Sequence, residues 1–220
     1  MRAVTPPAPS HRPEPAPLDS PRFLAEARRK LIHLGFLVLP LWLLHPFGLW
    51  PRGRSDFRNL LIVLVVGAIV VDLVRLHAPG VRQAFRHFFG EMIREHEELS
   101  LLGSTYLLLA ALLAVEIFPQ PVAAAALGFT VLGDAFAAIA GKAWGRTRLF
   151  HKTLEGALAG FAVCLMWATY LGAGGYVPWM PLLCGALAAS LMELLPIPLD
   201  DNLGITLFSG YVMKLLWMSG

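Results

Sequence analysis

The stretch from residue 133 to residue 156, GDAFAAIAGKAWGRTRLFHKTLEG, places Asp134, five basic side chains and four glycines between two long apolar runs. Residues 121–141 carry one charge, Asp134, and residues 153–171 carry one, Glu155. Each run is at or near the ~20 residues that span a bilayer hydrocarbon core. An ionised carboxylate within such a span costs roughly 2.5 to 3.5 kcal/mol on insertion scales, so it turns toward a polar cavity or a partner and marks a functional site. The connecting segment holds Lys142, Arg146, Arg148, His151 and Lys152, with Gly141 and Gly145 punctuating it. Gly141 and Gly145 allow the backbone close to a ligand. A cationic loop beside an acid suits a metal-bound nucleoside triphosphate: Lys and Arg meet the phosphates while the carboxylate holds Mg²⁺. The plainer alternative is a cytoplasmic loop that follows the positive-inside rule. A P-loop is excluded, because GKAWGRT lacks its spacing and follows a helical run instead of a strand.

A second cluster, Asp200, Asp201 and Asn202, lies in the short connection before the last apolar run. Two adjacent carboxylates at a membrane surface repel each other unless a cation lies between them, and hard divalent cations take such oxygen ligands. One of the three residues would serve equally as an N-cap for the helix that follows.

The elements that must hold these groups are membrane helices. Over 220 residues, 56% are hydrophobic and the mean hydropathy is +0.61, which indicates an integral membrane protein. The net charge of +3, without aromatics interleaved among cations, speaks against a nucleic-acid partner. Cys164 and Cys184 fall inside apolar runs and read as packing residues.

Residues 1–21, rich in Pro, Ala and Ser, read as a disordered tail. Arg28, Arg29 and Lys30 precede a first span, Leu31 to Trp50, and predict a cytoplasmic N-terminus; His33 sits one turn inside. A second span, Leu60 to Leu76, ends in Asp72 and Arg75, three residues apart on one face and able to pair. Between residues 80 and 100, Val81, Phe85, Phe88, Phe89, Met92 and Ile93 recur at helical spacing opposite charged residues, which predicts an amphipathic interfacial helix. Further spans are expected at Leu101 to Phe118, 121–141, 153–171, Val177 to Leu195 and Leu203 to Met218. The expectation is therefore an all-α polytopic protein with about seven transmembrane helices, residues 22–220 forming a single catalytic domain. In that topology Lys30, His33, Asp72, Arg75, the 142–152 loop and the 198–202 loop share the cytoplasmic face.

The ordered motifs ARRKLIH, GDAFAAIAGKAWG, KTLEGALAGF and ELLPIPLDDNL resemble those of the membrane CTP-dependent lipid-alcohol kinases, the family of dolichol kinase, phytol kinase and diacylglycerol kinase. The resemblance covers most of the chain after residue 25. It implies transfer of the γ-phosphate of CTP, with Mg²⁺, to the hydroxyl of a membrane lipid. It also implies a nucleotide and metal site formed by Asp134, Lys142, Lys152, Glu155, Asp200, Asp201 and Asn202 and lined by Lys30 and His33; Gly133, Gly141, Gly145 and Arg146 are expected to join Lys30, Lys142, Lys152 and Asn202 in binding the nucleotide. Asp134, Asp200 and Asp201 would hold the metal, with Asp134, Glu155, Asp201 and His33 as the catalytic candidates and the general base among the last three. Two positions depart from the family pattern: His151-Lys152-Thr153 replaces the usual Gly-Lys-Ser, and Gly204-Ile205-Thr206 stands where a proline is common. The run LFHKTLEGALAG is also similar to a segment of the phosphatidate cytidylyltransferases, which join CMP to phosphatidate and release pyrophosphate; the chain lacks their C-terminal Gly-His-Gly-Gly signature. A reading from a different class, a transporter or lipid-binding scaffold, would use the intramembrane acids as an ion relay. No internal repeat supports a transporter of the repeat type.

Overall fold

The structure, a computed structural model, describes residues 20–46, 51–90 and 95–218. Most of the expected tail, the end of the expected first span and residues 91–94 of the expected interfacial helix lie outside the described residues. Of the described residues 81% are helical. Helix α1 (Pro21–Gly35) starts where the Ser20 hydroxyl accepts from the Phe23 amide at 3.3 Å and Pro21 occupies the first turn. The expected first span is broken in two, because α1 ends at Gly35 and a short α2 (Val38–Leu44) follows. The break falls one turn before Pro40, which has no amide to give the Phe36 carbonyl in a continuous helix.

Among the described residues, three helices are long and apolar enough to cross a membrane: α3 (Arg54–His77), α6 (Gln120–Trp144) and α7 (Leu154–Ala173). Helices α5 (Gly103–Ile117) and α8 (Trp179–Leu194) are apolar and shorter, and α9 (Asp201–Met218) closes the described chain. This set makes the chain an integral membrane protein. The long helices differ in position. In the most apolar window of α6, 78% of residues are buried, against 22% for α3, so α6 is the centre of the bundle and α3 turns Val63, Val66 and Val70 outward. Helix α7 packs on α6 through small residues: a Cβ at Gly156 would lie 2.6 Å from the Ala137 carbonyl oxygen, and one at Gly160 would lie 2.8 Å from that of Gly133. Such close backbone approach is how helices associate where lipid removes the hydrophobic drive.

Two connections differ from expectation. The amphipathic helix α4 covers only Pro79–Phe89, and a 3₁₀ turn at Glu95–Glu98 precedes α5. The basic loop between α6 and α7 contains a two-stranded hairpin, β1 (Arg148–Leu149) and β2 (Lys152–Thr153), in which Leu149 pairs with Lys152. Phe150 turns this hairpin at a φ of 55°, a left-handed conformation that a bulky side chain seldom adopts. Immediately after β2, the Thr153 hydroxyl accepts from the Gly156 amide at 3.2 Å and caps α7.

Candidate active site

Asp134 lies midway along α6, buried, where α1 crosses it. Lys30 and His33, three residues apart on α1, both reach it: the Lys30 ammonium donates to Asp134 Oδ2, and His33 Nε2 stands 3.5 Å from the same oxygen. Lys30 is only 2% exposed, so its ionic partner is what makes that burial tolerable.

The hairpin aims Lys152 at the same centre from the other side. Its ammonium is 2.7 Å from Glu193 Oε1, near the end of α8, and 2.9 Å from Asp201 Oδ2, at the start of α9. Burial pushes the Lys152 ammonium down, but the Glu193 and Asp201 carboxylates outweigh it and hold it above the ordinary lysine value. Carboxylate oxygens of Asp134, Glu193 and Asp201 all lie within 4.8 Å of one another. Three acids so close, with Lys30 and Lys152 at their edges, leave an excess of negative charge. Glu193 Oε2 is buried without a hydrogen-bond partner. A hard divalent cation fits this oxygen set, since it would neutralise the excess and take the orphaned oxygen.

Sequence reasoning placed Asp200 among the metal ligands and did not single out Glu193. In the structure Asp200 Oδ1 accepts from the amide of Asn202 at 2.9 Å and from its Nδ2 at 3.0 Å, the N-cap arrangement for α9. The signal for Glu193 was available: it is an acid inside the expected span Val177 to Leu195, the criterion that marked Asp134. Asn202 Nδ2 also donates to the Gly103 carbonyl at 3.2 Å, tying α9 to α5.

The other expected residues spread around this centre. Lys142 belongs to the last turn of α6 instead of the loop, and its ammonium is 2.6 Å from Glu26 Oε2 on α1, whose other oxygen accepts from Arg29. Burial pushes the Glu26 carboxyl up, yet Lys142 and Arg29 together hold it below the ordinary carboxylate value. Glu155 accepts from the Thr147 amide at 3.0 and 3.2 Å and so fastens the loop ahead of the hairpin. A Cβ at Gly133 would lie 2.9 Å from Cys164 Sγ, and one at Gly145 would lie 2.2 Å from the Gly141 carbonyl oxygen, so both serve backbone packing. Gly141 faces a cavity. Arg146 and Glu155 line neither of the two cavities that flank the acids.

Those cavities differ in chemistry. One, of about 490 Å³, is walled by Glu26, Arg29, Gly141, Lys142, Arg148, His151 and Lys152. The other, of about 260 Å³, is walled by Lys30, Ile32, His33, Phe36, Phe85, Phe89, Leu102 and Asn202. Arg29, Asp134 and Asp201 belong to both walls. The larger chamber thus sets four cations, Arg29, Lys142, Arg148 and Lys152, among four carboxylates that include Glu193, the smaller is largely apolar, and the two meet at Asp134 and Asp201, which suits joining a metal-bound polyanion to the polar end of an apolar molecule.

No family model matches the chain, and no solved structure matches it significantly. Curated proteins do. The chain is 27% identical to the CTP-dependent diacylglycerol kinase 1 of Eremothecium gossypii, over 86% of its own length and 66% of that protein's, so it spans just under two thirds of this relative. It is 23% identical to the protein of the same name from Schizosaccharomyces pombe, over 87% of this chain and 93% of the relative. The Saccharomyces cerevisiae protein of that name is 24% identical over 86% and 72%. Over about 86% of its length the chain is thus similar to proteins named CTP-dependent diacylglycerol kinase 1, which supports a relationship to the CTP-dependent lipid kinases.

Proposed function

We propose that this protein transfers the γ-phosphate of CTP to the hydroxyl of a membrane lipid, with Mg²⁺. The observation that carries the reading is the pair of unlike cavities meeting at Asp134 and Asp201. The larger takes the triphosphate, whose charge Lys142, Arg148 and Lys152 neutralise; the smaller takes the head of the lipid, with Phe36, Phe85 and Phe89 against its apolar part. Diacylglycerol is the acceptor named in the relatives, and polyprenols and phytol share the same chemistry, one hydroxyl on a long apolar tail. The protein is read as a single unit from residue 22 onward with about seven spans and the site on the cytoplasmic side, where CTP is found.

Phosphoryl transfer asks little covalent chemistry of a protein, and catalysis is mostly positioning and stabilisation of charge on the transferred group. Asp134, Glu193 and Asp201 are the residues that would hold Mg²⁺, which supplies charge neutralisation on the phosphates when bound. Lys30 fixes the orientation of the Asp134 carboxylate, and Lys152 fixes those of Glu193 and Asp201. An acceptor hydroxyl in the smaller cavity lies against His33, Asp134 and Asp201. Of the three base candidates, His33 and Asp201 therefore face the hydroxyl, whereas Glu155 is engaged with the loop backbone.

The test uses purified protein, a mixed lipid extract, and CTP labelled in separate reactions at the α- or γ-phosphate. Label entering the lipid phase from the γ-position is the expected result. Label entering from the α-position with release of pyrophosphate would overturn the kinase reading in favour of a cytidylyltransferase, and no CTP consumption would favour the transporter or scaffold.

A further inference from the structure

A buried ion pair outside the acidic centre organises the wall of the smaller cavity. Asp72 and Arg75, on the last turns of α3, are 0% and 2% exposed, and the Arg75 guanidinium donates to Asp72 Oδ1 at 2.9 and 3.2 Å. Neither side chain lines either large cavity, yet between them they hold the segment that does. Arg75 donates to the carbonyls of Glu97 at 2.9 Å and Ser100 at 2.6 Å. The second oxygen of Asp72 accepts from the Leu102 amide at 3.0 Å and from the Thr105 hydroxyl at 2.7 Å. The chain from Glu97 to Thr105 is therefore fastened at four points to one pair. Within it Glu97 Oε1 accepts from the Gly103 amide at 2.9 Å, and the Gly103 carbonyl receives Asn202 Nδ2 from α9.

The same arginine also reaches the opposite wall. Its guanidinium carbon lies 5.8 Å from the centroid of the Phe85 ring on α4, a cation–π contact. Helix α4 buries no side chain of its own, so it depends on few contacts for its position, this one and the Arg86–Glu98 pair at 3.4 Å among them. Phe85 and Phe89 from α4, and Glu97, Leu102 and Gly103 from the fastened segment, line the smaller cavity. A bare structural pair would need only one partner for each charge. Here the fork of Arg75 and the second oxygen of Asp72 hold the 97–105 wall, while the guanidinium of the same arginine meets Phe85 of the α4 wall.

We infer that Asp72 and Arg75 are the positioning pair of the lipid-acceptor cavity, setting its width between α4 and the 97–105 segment and thereby acceptor binding, while leaving the nucleotide chamber unaffected. The inference rests on the kinase reading for what fills the cavity. Lysine at position 75 would keep the charge but lose the planar fork that serves three acceptors at once. Leucine at Phe85 removes the ring contact from an exposed helix without touching the buried pair.

The experiment measures Arg75→Lys and Phe85→Leu against the wild type, using diacylglycerol in detergent micelles and CTP. The KM for diacylglycerol is expected to rise about tenfold for Arg75→Lys and by less for Phe85→Leu. The KM for CTP, and the thermal stabilisation by Mg²⁺–CTP, should stay at the wild-type values. Equal rises in both KM values, or an unchanged lipid KM in both variants, would overturn the inference. If Arg75→Lys fails to fold, Thr105→Val decides instead, since it removes one fastening to Asp72 at a residue that lines neither cavity: a raised lipid KM with an unchanged CTP KM supports the inference, and an unchanged lipid KM overturns it. Equilibrium binding of a fluorescent diacylglycerol analogue separates this inference from the kinase reading. Wild-type protein that binds the analogue without transferring phosphate refutes the reading, and variants that bind it as tightly as wild type refute the positioning role.

Discussion

Replacing Lys30 by Met tests the electrostatic account of the acidic centre, because the substitution keeps an unbranched chain of similar volume and removes only the ammonium. Lys30 is only 2% exposed, and its partner Asp134 faces Glu193 and Asp201 within 4.8 Å. Without Lys30, the three carboxylates keep one lysine, Lys152, between them. Removing one partner of a buried pair costs about 3 to 5 kcal/mol. Asp134 borders both cavities and keeps access to water, so the lower end applies, about 3 kcal/mol. At roughly 2 to 4 °C per kcal/mol for a chain of this length, the thermal midpoint in detergent should fall by about 6 to 12 °C. Millimolar Mg²⁺ should return part of that loss, since a cation bound at one hundred times its Kd contributes about 2.7 kcal/mol. The decisive comparison is the double variant with Asp134→Asn. If the two charges stabilise each other, the double variant is more stable than Lys30→Met alone, with a coupling of about 2 kcal/mol. Additive losses, or a Lys30→Met protein as stable as the wild type, would refute the reasoning.

Other perturbations read the remaining parts of the site. Glu193→Gln keeps the shape and removes one ligand charge, so the Mg²⁺ concentration for half-maximal thermal stabilisation should rise about 10- to 100-fold; an unchanged Mg²⁺ response would remove Glu193 from the metal group. Gly160→Val places branched carbon where a Cβ would already lie 2.8 Å from the Gly133 carbonyl oxygen, and the overpacking should cost about 1 to 3 kcal/mol or more in detergent unfolding. Stability equal to wild type there would mean that α6 and α7 are not in close backbone contact. Glu26 has a folded-state carboxyl held below its usual value near 4.5, so its contribution is complete above that value and is lost as pH falls through the lowered one. Glu26→Gln should accordingly flatten the loss of stability on acidification, measured as thermal midpoint against pH below about 4.5. Parallel curves for variant and wild type would show that the Glu26–Lys142–Arg29 cluster contributes nothing.

The sequence determined the class of this protein and the chemical content of its site. Apolar runs of spanning length are read directly from one dimension, because a bilayer imposes a minimum length and tolerates few charges. For the same reason, an acid inside a span stands out, and Asp134 is legible from its position in the chain alone. So are Lys30 and His33, three residues apart at the start of the first apolar run, and Asp201 at the head of the last. Tertiary structure decided the pairings. Nothing local tells Lys152 that its partners are Glu193 and Asp201, 41 and 49 positions away, because those distances are set by how α7, α8 and α9 pack. Asp200 and Asp201 are adjacent and alike in sequence, yet helix geometry turns one to the N-cap and the other toward Asp134. The break between α1 and α2 was hidden because hydropathy continues through it, and the fold alone placed α1 across α6. Asp72 and Arg75 could be paired from spacing, but that they fasten the segment from Glu97 to Thr105 depends on contacts more than 20 residues distant, which a period of 3.6 residues does not encode.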